Sequence, residues 1–366
     1  MMSAIDNRKL LRLIHSQAPI RVCDNGGWSD TWFAGHGQVF HIAVVPGVEV
    51  QMKVFAQTPD EPRITIHAEN YGDRYSIDPP QGNYSKHPLI EAAMEYMGIP
   101  HGIAVEVSIH SEVPAGCSTG TSAAVSTALI GALDMLRGGR LAAHEVALAA
   151  QQIETRMLNL QCGIQDQIAS AYGGINFIDM YQYPHASVSR LHVPEMLLWE
   201  LEARLSLVFV GQSHNSSDVH KQVIAELERG GSGHGAPGED KLEPIRHCAR
   251  EAKDALCGGD LPRLGRSMVA NTAAQAALHP ELVGVHHRAI IEIARAHNAI
   301  GWKVNGAGGE GGSITLLSGS DFAERRTMMQ AIEANGQYRE IPIRLSPEGL
   351  RVWESPRPGA QPLPDK

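Results

Sequence analysis

The stretch PAGCSTGTSAA, residues 114–124, has the residue types that can bind an anion. Its glycines permit backbone conformations that other residues resist, and its small hydroxyl side chains leave room for a close approach. A helix N-terminus placed after such a loop presents unpaired N–H groups and the positive end of the helix dipole, which can hold a phosphate without a lysine. The loop lacks the Gly-Lys-Ser/Thr ending of a Walker A motif, and the simpler interpretation is an ordinary turn before a helix.

The sequence on either side of this loop predicts the elements that would position it. Before the loop, apolar residues alternate from Ile103 to Ile109, which indicates a half-buried strand. After the loop, apolar residues recur at i, i+3 and i+4 from Val125 to Leu136, which indicates a helix with one buried face. The order strand, loop, helix therefore places the loop at a helix N-terminus.

Two carboxylates and a second glycine-rich stretch follow, and each also has a simpler interpretation. Glu154 lies near the end of an alanine-rich helix predicted over 141–158, where a solvated Glu is the default. Asp166 follows a Cys-Gly break and starts a new helix, where Asp is commonly an N-cap. The segment NGAGGEGGS, residues 305–313, lies between two predicted strands and could be a plain hairpin turn.

Composition limits the class of protein. The chain has 366 residues and a net charge of −9, which disfavours binding to nucleic acid or to an anionic membrane. Its five cysteines are scattered without C-x-x-C spacing, which favours a reducing compartment and predicts a cytoplasmic protein. The sequence contains neither a signal-peptide pattern nor an apolar run of about 20 residues.

The length predicts two domains. The first is predicted over residues 1–200 and the second over residues 201–350, beginning near an apolar strand at 205–210. A glycine-rich stretch at 228–241 predicts a mobile loop or lid, and the proline-rich tail, residues 351–366, is predicted to be disordered.

Three stretches in order resemble the GHMP kinases, the family named for galacto-, homoserine, mevalonate and phosphomevalonate kinases. PAGCSTGTSAA resembles the ATP-phosphate loop of the family, QCGIQDQIASAYGG its C-G-I-M-D-Q segment, and NGAGGEGGSITLL its C-terminal glycine-rich hairpin. RVCDNGGWSDT and GQSHNSSDV are most similar to the fucokinase and heptose 7-phosphate kinase branch. The resemblance implies a two-domain α+β fold with an N-terminal ATP-binding α/β domain and a C-terminal ferredoxin-like α+β domain.

The resemblance also implies roles for individual residues, with ATP and Mg²⁺ as cofactors. Asp166 would be the base that accepts the hydroxyl proton, with Arg21 beside it, and Ser122 and Glu154 would hold Mg²⁺. The implied nucleotide-binding residues are Pro114, Gly116, Ser118, Thr119, Gly120, Thr121, Ser122, Ala123, Gly306, Gly308 and Gly309. The implied substrate-binding residues are Asp30, Gly27, Trp28, Ser29 and Gly163.

The sequence departs from the family pattern at several positions. Ser118 stands where the family usually has glycine, so we expect a different backbone path in the loop. Glu310 interrupts the glycine run of the hairpin, where we expect it to reduce ATP affinity or alter the hairpin. Trp32 and Phe33 replace the proline pair that often follows W-S-D-T.

The resemblance implies an ATP-dependent sugar kinase that phosphorylates a hexose, heptose or heptose phosphate, and the anomeric hydroxyl is the expected position. One alternative is a kinase for a cyclitol or another small alcohol; W-S-D-T disfavours mevalonate and homoserine. A second is an inactive sugar-binding regulator of kinase ancestry, which the presence of Asp166, Glu154 and Ser122 disfavours. We expect a monomer or homodimer with a small-molecule sugar or sugar-phosphate substrate.

Overall fold

The structure is a computed structural model, and it describes residues 8–78, 82–211, 221, 223–225 and 241–356. The predicted loop at 228–241 therefore lies outside the described residues except for its last residue. The same holds for most of the GQSHNSSDV motif and for residues 357–366 of the predicted tail. No helix in the described ranges is both long and apolar enough to cross a membrane.

The strands and helices follow one another in mixed order along the chain. The strands are β1 Leu10–Asn25, β2 Gly37–Ala56, β3 Ile64–Ala68, β4 Asp73–Ile77, β5 Ile103–Ser111, β6 Ile175–Gln182, β7 His185–Arg190, β8 Leu205–Phe209, β9 Gly301–Val304, β10 Ser313–Leu317, β11 Arg339–Ile341, β12 Arg344–Leu345 and β13 Arg351–Glu354. The α-helices are α1 Pro88–Met97, α2 Thr121–Arg137, α3 Ala143–Gln152, α4 Gln165–Tyr172, α5 Glu195–Arg204, α6 Glu243–Cys257, α7 Leu261–Leu278, α8 Val285–Ala296 and α9 Phe322–Glu333.

Among the described residues, nine strands form a large sheet whose main path is β13-β1-β2-β5-β3-β4. Only the β3–β5 pair in it is parallel. The long strands β1 and β2 pair antiparallel, with irregular register between Ala18 and Ile20 and again between Val22 and Asn25. A bulge re-aims the side chains near it. The second irregularity lies where β1 approaches the candidate site described below.

The helix that follows the predicted phosphate loop packs closely on this sheet because the side chains on its buried face are small. Ala124, Ala128 and Ala132 of α2 are fully buried. At Gly131, an added Cβ would come within 2.8 Å of the Leu350 side chain. Close packing of α2 fixes the position of the helix N-terminus, and with it the loop that precedes it.

A second sheet of four antiparallel strands, ordered β11-β8-β10-β9, forms the other half of the molecule. Its apolar core includes Ile290 of α8 and Met328 and Ile332 of α9. Helix α6 packs against β1 and β2 and also against α7, which in turn packs on β9. The two helices therefore join the small sheet to the large one. The mixed α/β architecture confirms the predicted fold class.

The end of the chain corrects one prediction. Residues 351–354, predicted to belong to a disordered tail, form β13, which pairs antiparallel with β1 between Ile14 and Gln17. Strand β12, within the predicted second domain, pairs with β2. The sequence after the small sheet thus returns to the large one, because the outer edge of β1 supplies a row of unpaired backbone groups that β13 satisfies.

Candidate active site

A cavity of about 420 Å³ lies where the end of β1, the loop before α2, the N-terminus of α4 and the glycine-rich hairpin meet. Most of the residues singled out in the sequence line it. These are Arg21, Trp28, Asp30, Gly116, Ser118, Thr119, Gly120, Thr121, Ser122, Ala123, Glu154, Gly163, Asp166 and Gly306. A volume of this size is typical of a small-molecule site.

Five residues predicted for the site do not line this cavity: Pro114, Gly27, Ser29, Gly308 and Gly309. Ser29 is fully buried, and its Oγ donates to the carbonyl oxygen of Gly26 at 2.7 Å. Gly308 and Gly309 pack against the segment around Leu282, since Gly309 N donates to Leu282 O and a Cβ at Gly308 would clash with that oxygen. Ser29, Gly308 and Gly309 therefore contact the backbone of neighbouring segments and not the cavity.

The predicted phosphate loop runs into helix α2 as the sequence indicated, with Gly120 at the N-cap position and Thr121 as the first helical residue. Two hydrogen bonds from other segments hold the backbone of this loop: Arg21 N donates to Thr119 O at 3.0 Å, and Ser313 Oγ donates to Cys117 O at 2.6 Å. Ser118 has φ +59°, so it adopts the left-handed conformation that glycine favours. The glycine-to-serine departure therefore keeps a glycine-like backbone.

The glycine-rich hairpin lies against this loop. At Gly306, with φ +58°, an added Cβ would come within 3.0 Å of Ser118 O and 3.2 Å of Arg21 Nη2, so only glycine fits there without displacement. Glu310, which interrupts the glycine run, is exposed and does not line the cavity.

Asp166 and Arg21 form an ion pair at the floor of the cavity. Asp166 lies in the first turn of α4, and its Oδ1 accepts from Arg21 Nε at 2.8 Å. Arg21 is buried and also donates to Ser118 O, so the guanidinium joins Asp166 to the predicted phosphate loop. Burial works against its charge, but Asp166 and Asp24 raise the pKa of Arg21 above its usual value. Asp166 keeps 30% of its side chain exposed, which leaves it accessible to a ligand.

Asp30 joins the W-S-D-T turn to α4. Its Oδ2 accepts from the backbone N–H groups of Ile164 and Gln165 at 2.9 and 3.0 Å, at the start of the helix that carries Asp166. Burial raises the pKa of Asp30 to about 6, against the lowering effect of the Gln165 bond and with a further increase from Asp166. Gly163 lies beside it, since a Cβ there would be 2.1 Å from Asp30 Oδ2.

Glu154 comes from a wide π-helical turn, Ile153–Met157, that continues α3. Such turns often occur at functional sites. The side chain is buried, so the interpretation of Glu154 as a solvated surface residue is wrong. Its Oε1 accepts from Gln167 Nε2 at 2.7 Å. Burial raises the pKa of Glu154 to about 7, although the Gln167 bond lowers it, and the nearby charge of Asp166 raises it further.

Glu154 and Ser122 both offer oxygen ligands to the cavity, which suits a hard cation. No group of three or more His, Cys, Asp or Glu side chains that could hold a metal ion occurs in the part of the chain that the structure describes. Mg²⁺ is usually bound by one or two protein oxygens together with substrate phosphates. The two oxygen donors therefore fit a Mg²⁺ ion that arrives with a nucleotide.

The sequence analysis missed a buried ion pair, between Asp24 and Lys303, that lies next to Arg21. Lys303 Nζ lies 3.1 Å from Asp24 Oδ1, and Asp24 Oδ2 accepts from Gly306 N at 2.9 Å and lies 3.9 Å from Arg21 Nη2. Both Asp24 and Lys303 are buried. Burial alone would raise the pKa of Asp24, but Lys303 and Arg21 outweigh it and hold that pKa below its usual value.

Aromatic side chains form another part of the cavity lining. Trp28, Trp32 and Phe33 line the cavity, and the Trp32 and Phe33 rings meet edge to face with centroids 5.1 Å apart. Trp32 also contacts Tyr183, at 6.5 Å between centroids. The sequence analysis noted Trp32 and Phe33 only as departures from the family pattern; their position directly after the W-S-D-T turn was the available signal.

A comparison with family models and curated proteins gives consistent results. Residues 83–174 match the model described as the GHMP kinases N terminal domain. The mevalonate kinase of Thermococcus onnurineus is 30% identical over 262 residues, covering 69% of this chain and 70% of that protein. The D-glycero-alpha-D-manno-heptose 7-phosphate kinase of Campylobacter jejuni is 24% identical over 248 residues, covering 67% of this chain and 69% of that protein.

A solved structure has the same fold. The D-glycero-D-manno-heptose 1-phosphate kinase of Bacteroides thetaiotaomicron superposes with a TM-score of 0.71 at 20% identity, covering 93% of this chain and 98% of the other. The protein belongs to the GHMP kinase family. It is a phosphotransferase that acts on an alcohol group, and family membership implies ATP as the phosphate donor.

Proposed function

We propose that this protein is a sugar kinase that transfers the γ-phosphate of ATP to a hydroxyl, expected to be the anomeric one, of a hexose, heptose or heptose phosphate. The observation that supports this most directly is the Asp166–Arg21 ion pair, which lies between the phosphate loop and Asp30 in one cavity. The names of several relatives, among them the heptose 7-phosphate kinase, support a sugar as the acceptor.

The nucleotide would bind with its phosphates at the N-terminus of α2. Backbone N–H groups of loop 114–122 and the helix dipole would bind phosphate oxygens, and Gly306 would let the hairpin approach the loop. Ser122 and Glu154 would hold the Mg²⁺ that accompanies ATP. When bound, Mg²⁺ supplies charge neutralisation for the phosphate oxygens.

Asp166 would receive the proton of the sugar hydroxyl. In the proposed step, the hydroxyl oxygen forms a bond to the γ-phosphorus, the bond from that phosphorus to the ADP oxygen breaks, and the proton moves to Asp166. Arg21, which donates to Asp166 Oδ1, would stabilise negative charge on the transferring group. Asp30, through its hydrogen bonds to the start of α4, would hold sugar hydroxyls at a fixed distance from the base.

The experiment that tests this proposal is an ADP-release assay with Mg²⁺ and ATP over free sugars, sugar phosphates, cyclitols, homoserine and mevalonate. Mevalonate is included because the 30% identical relative is a mevalonate kinase. We expect turnover of at least one sugar-type acceptor, and NMR of the product would identify the phosphorylated hydroxyl. Turnover of mevalonate or homoserine alone would contradict the proposal.

A further inference from the structure

The segment that joins Glu154 to Asp166 has no regular secondary structure. This segment, loop 158–164, runs from the π-helical turn that carries Glu154 to the start of α4, which carries Asp166. Its residues 161–163 line the same cavity as the two carboxylates. The course of loop 158–164 therefore helps to set the position of Asp166 relative to Glu154.

Hydrogen bonds hold loop 158–164 at both ends and in the middle. Near its beginning, Leu160 N donates to the carbonyl oxygen of Glu154 at 2.9 Å, and its end is bonded to Asp30 as described above. In the middle, the carbonyl oxygen of Cys162 accepts from the hydroxyl of Tyr183 at 2.9 Å. Tyr183 thus holds the part of the loop that lines the cavity.

The Tyr183 hydroxyl is itself fixed by a second hydrogen bond. Tyr183 lies in the turn between β6 and β7 and does not line the cavity. Its hydroxyl accepts from Nε2 of Gln151, a buried residue of α3, at 2.7 Å. Burial raises the pKa of Tyr183 above its usual value, so the hydroxyl keeps its proton and donates it to Cys162 O.

The same glutamine also contacts the turn that carries the first carboxylate. The Gln151 carbonyl oxygen accepts from Thr155 Oγ1 at 2.9 Å, and Thr155 follows Glu154 directly in the chain. Gln151 therefore meets the turn of Glu154 through its backbone and the middle of loop 158–164 through Tyr183. The two ends of this chain of contacts lie on either side of the loop that separates Glu154 from Asp166.

We propose that Tyr183 is a positioning residue for phosphate transfer, whose hydroxyl holds loop 158–164 and thereby the placement of Asp166 relative to Glu154. This inference rests on the proposed function, in which Asp166 receives the proton and Glu154 helps to hold the metal. Tyr183 acts through the loop and takes no part in the transfer. A displacement of about 1 Å at a reacting group can lower a rate by about 100-fold, so the position of this loop matters for the rate.

Tyr183→Phe removes the hydroxyl and keeps the ring that contacts Trp32. It leaves the Cys162 carbonyl and the Gln151 amide without this partner, so the middle of the loop is free to shift. With the acceptor that the wild type uses best, we expect kcat to fall about 10-fold or more while KM for that acceptor stays within about 3-fold. A fall in kcat of less than about 3-fold would overturn the inference.

Tyr172→Phe is the matched control. Tyr172 is partly buried like Tyr183 and ends α4, and its hydroxyl lies 3.1 Å from Nδ1 of His144 in the first turn of α3. This contact joins the same two helices at the end of α4 away from Asp166. We expect Tyr172→Phe to lower the melting temperature about as much as Tyr183→Phe but to keep kcat within about 2-fold. Equal losses of kcat in the two variants would mean that loosened helix packing is the cause, and the positioning role would be wrong.

The double variant Asp166→Asn/Tyr183→Phe shows whether Tyr183 acts through Asp166. Once the base is gone its placement matters less, so adding Tyr183→Phe to Asp166→Asn should lower kcat by less than about 3-fold more. A further loss as large as the one that Tyr183→Phe causes in the wild type would overturn the inference.

The same set of variants separates this inference from the proposed function. If Asp166→Asn loses turnover while Tyr183→Phe keeps the wild-type kcat, the positioning role alone is refuted. If Asp166→Asn itself turns over at the wild-type kcat, the proposed mechanism is refuted and the inference falls with it.

Discussion

Replacing Asp24 by Asn tests how the site is held together. The variant keeps the shape of the side chain but removes the charge that Lys303 and Arg21 face. Lys303 would then be a buried ammonium whose acceptors among the described residues are all neutral: Gln275 Oε1 at 3.2 Å, the Val304 carbonyl and the amide oxygen of the new Asn. Removing one partner of a buried pair leaves the other charge uncompensated, which costs about 3–5 kcal/mol.

The geometry favours the upper part of that range. Both partners are almost completely buried, at 0% and 1% exposure, and their charged atoms lie 3.1 Å apart. In the wild type, Gly306 N donates to Asp24 Oδ2, and this bond holds the glycine-rich hairpin in place. Asp24→Asn removes the negative charge that strengthens this bond. We therefore expect Asp24→Asn to lower the free energy of unfolding by about 4 kcal/mol, a large share of the roughly 5–15 kcal/mol that stabilises a typical protein.

Urea denaturation followed by tryptophan fluorescence and circular dichroism measures this change. The double variant Asp24→Asn/Lys303→Met removes both charges, so it should recover most of the loss. Glu292→Gln is the control, because the Arg295–Glu292 pair has a similar distance of 2.9 Å but side chains that are 55% and 69% exposed. We expect the control to cost no more than about 0.5 kcal/mol.

The pH dependence gives a second check. The pKa of Asp24 is depressed in the folded state, so its stabilisation is present above the ordinary Asp pKa of about 4 and is lost as pH falls through the depressed value. Asp24→Asn should remove this acid-dependent part. If Asp24→Asn unfolds within about 1 kcal/mol of the wild type, or if the double variant is no more stable than the single one, the reasoning is refuted.

Four further predictions concern three residues of the cavity. Glu154→Gln should shift the Mg²⁺ dependence of the rate to higher concentration, and an unchanged titration would remove Glu154 from the metal site. In the metal-free protein, the pKa of Glu154 is raised to about 7 in the folded state. Its contribution to stability is therefore fully present below the ordinary pKa of 4.5 and is lost as pH rises through 7. Glu154→Gln should flatten the dependence of stability on pH in this range. Gly120→Val should abolish Mg·ATP binding by calorimetry, since a Cβ at Gly120 already lies 3.1 Å from Asp166; wild-type affinity would disprove the loop assignment. Asp30→Asn should weaken sugar affinity by about 1.5–3 kcal/mol with a smaller effect on kcat, and a wild-type KM would argue against its role.

Local patterns predicted the parts of the site that adjoin one another in sequence. The alternation before the phosphate loop and the helical spacing after it predicted β5 and α2. The break before Asp166 predicted the start of α4, and N-G and G-G pairs predicted the hairpin before β10. Each of these signals depends on backbone preferences within a few residues, which a sequence displays directly.

The parts that were missed depend on partners far apart in the chain. Asp24 and Lys303 are separated by 279 residues, so neither segment shows that the other neutralises it. Asp30 was predicted as a site residue, but its contacts with the start of α4 were missed because those partners lie 134 and 135 residues away. Strand β13 was missed because proline-rich sequence follows it and the edge of β1 that it pairs with is set by the tertiary fold. The predicted domain boundaries at 200 and 350 stay predictions.

The central claim is that Asp166 accepts the proton of a sugar hydroxyl during phosphate transfer, and the kcat of Asp166→Asn tests it most directly. The variant keeps the side-chain shape, while Arg21 retains its bond to Ser118 O and its position near Asp24, so we expect the fold to persist. The melting temperature and the sugar dissociation constant check this point. A positioned base contributes about 10²–10⁴ in rate, with the low end expected for a loose transition state. We predict a fall in kcat of about that size with sugar binding almost unchanged. Turnover at nearly the wild-type kcat would contradict the proposed mechanism.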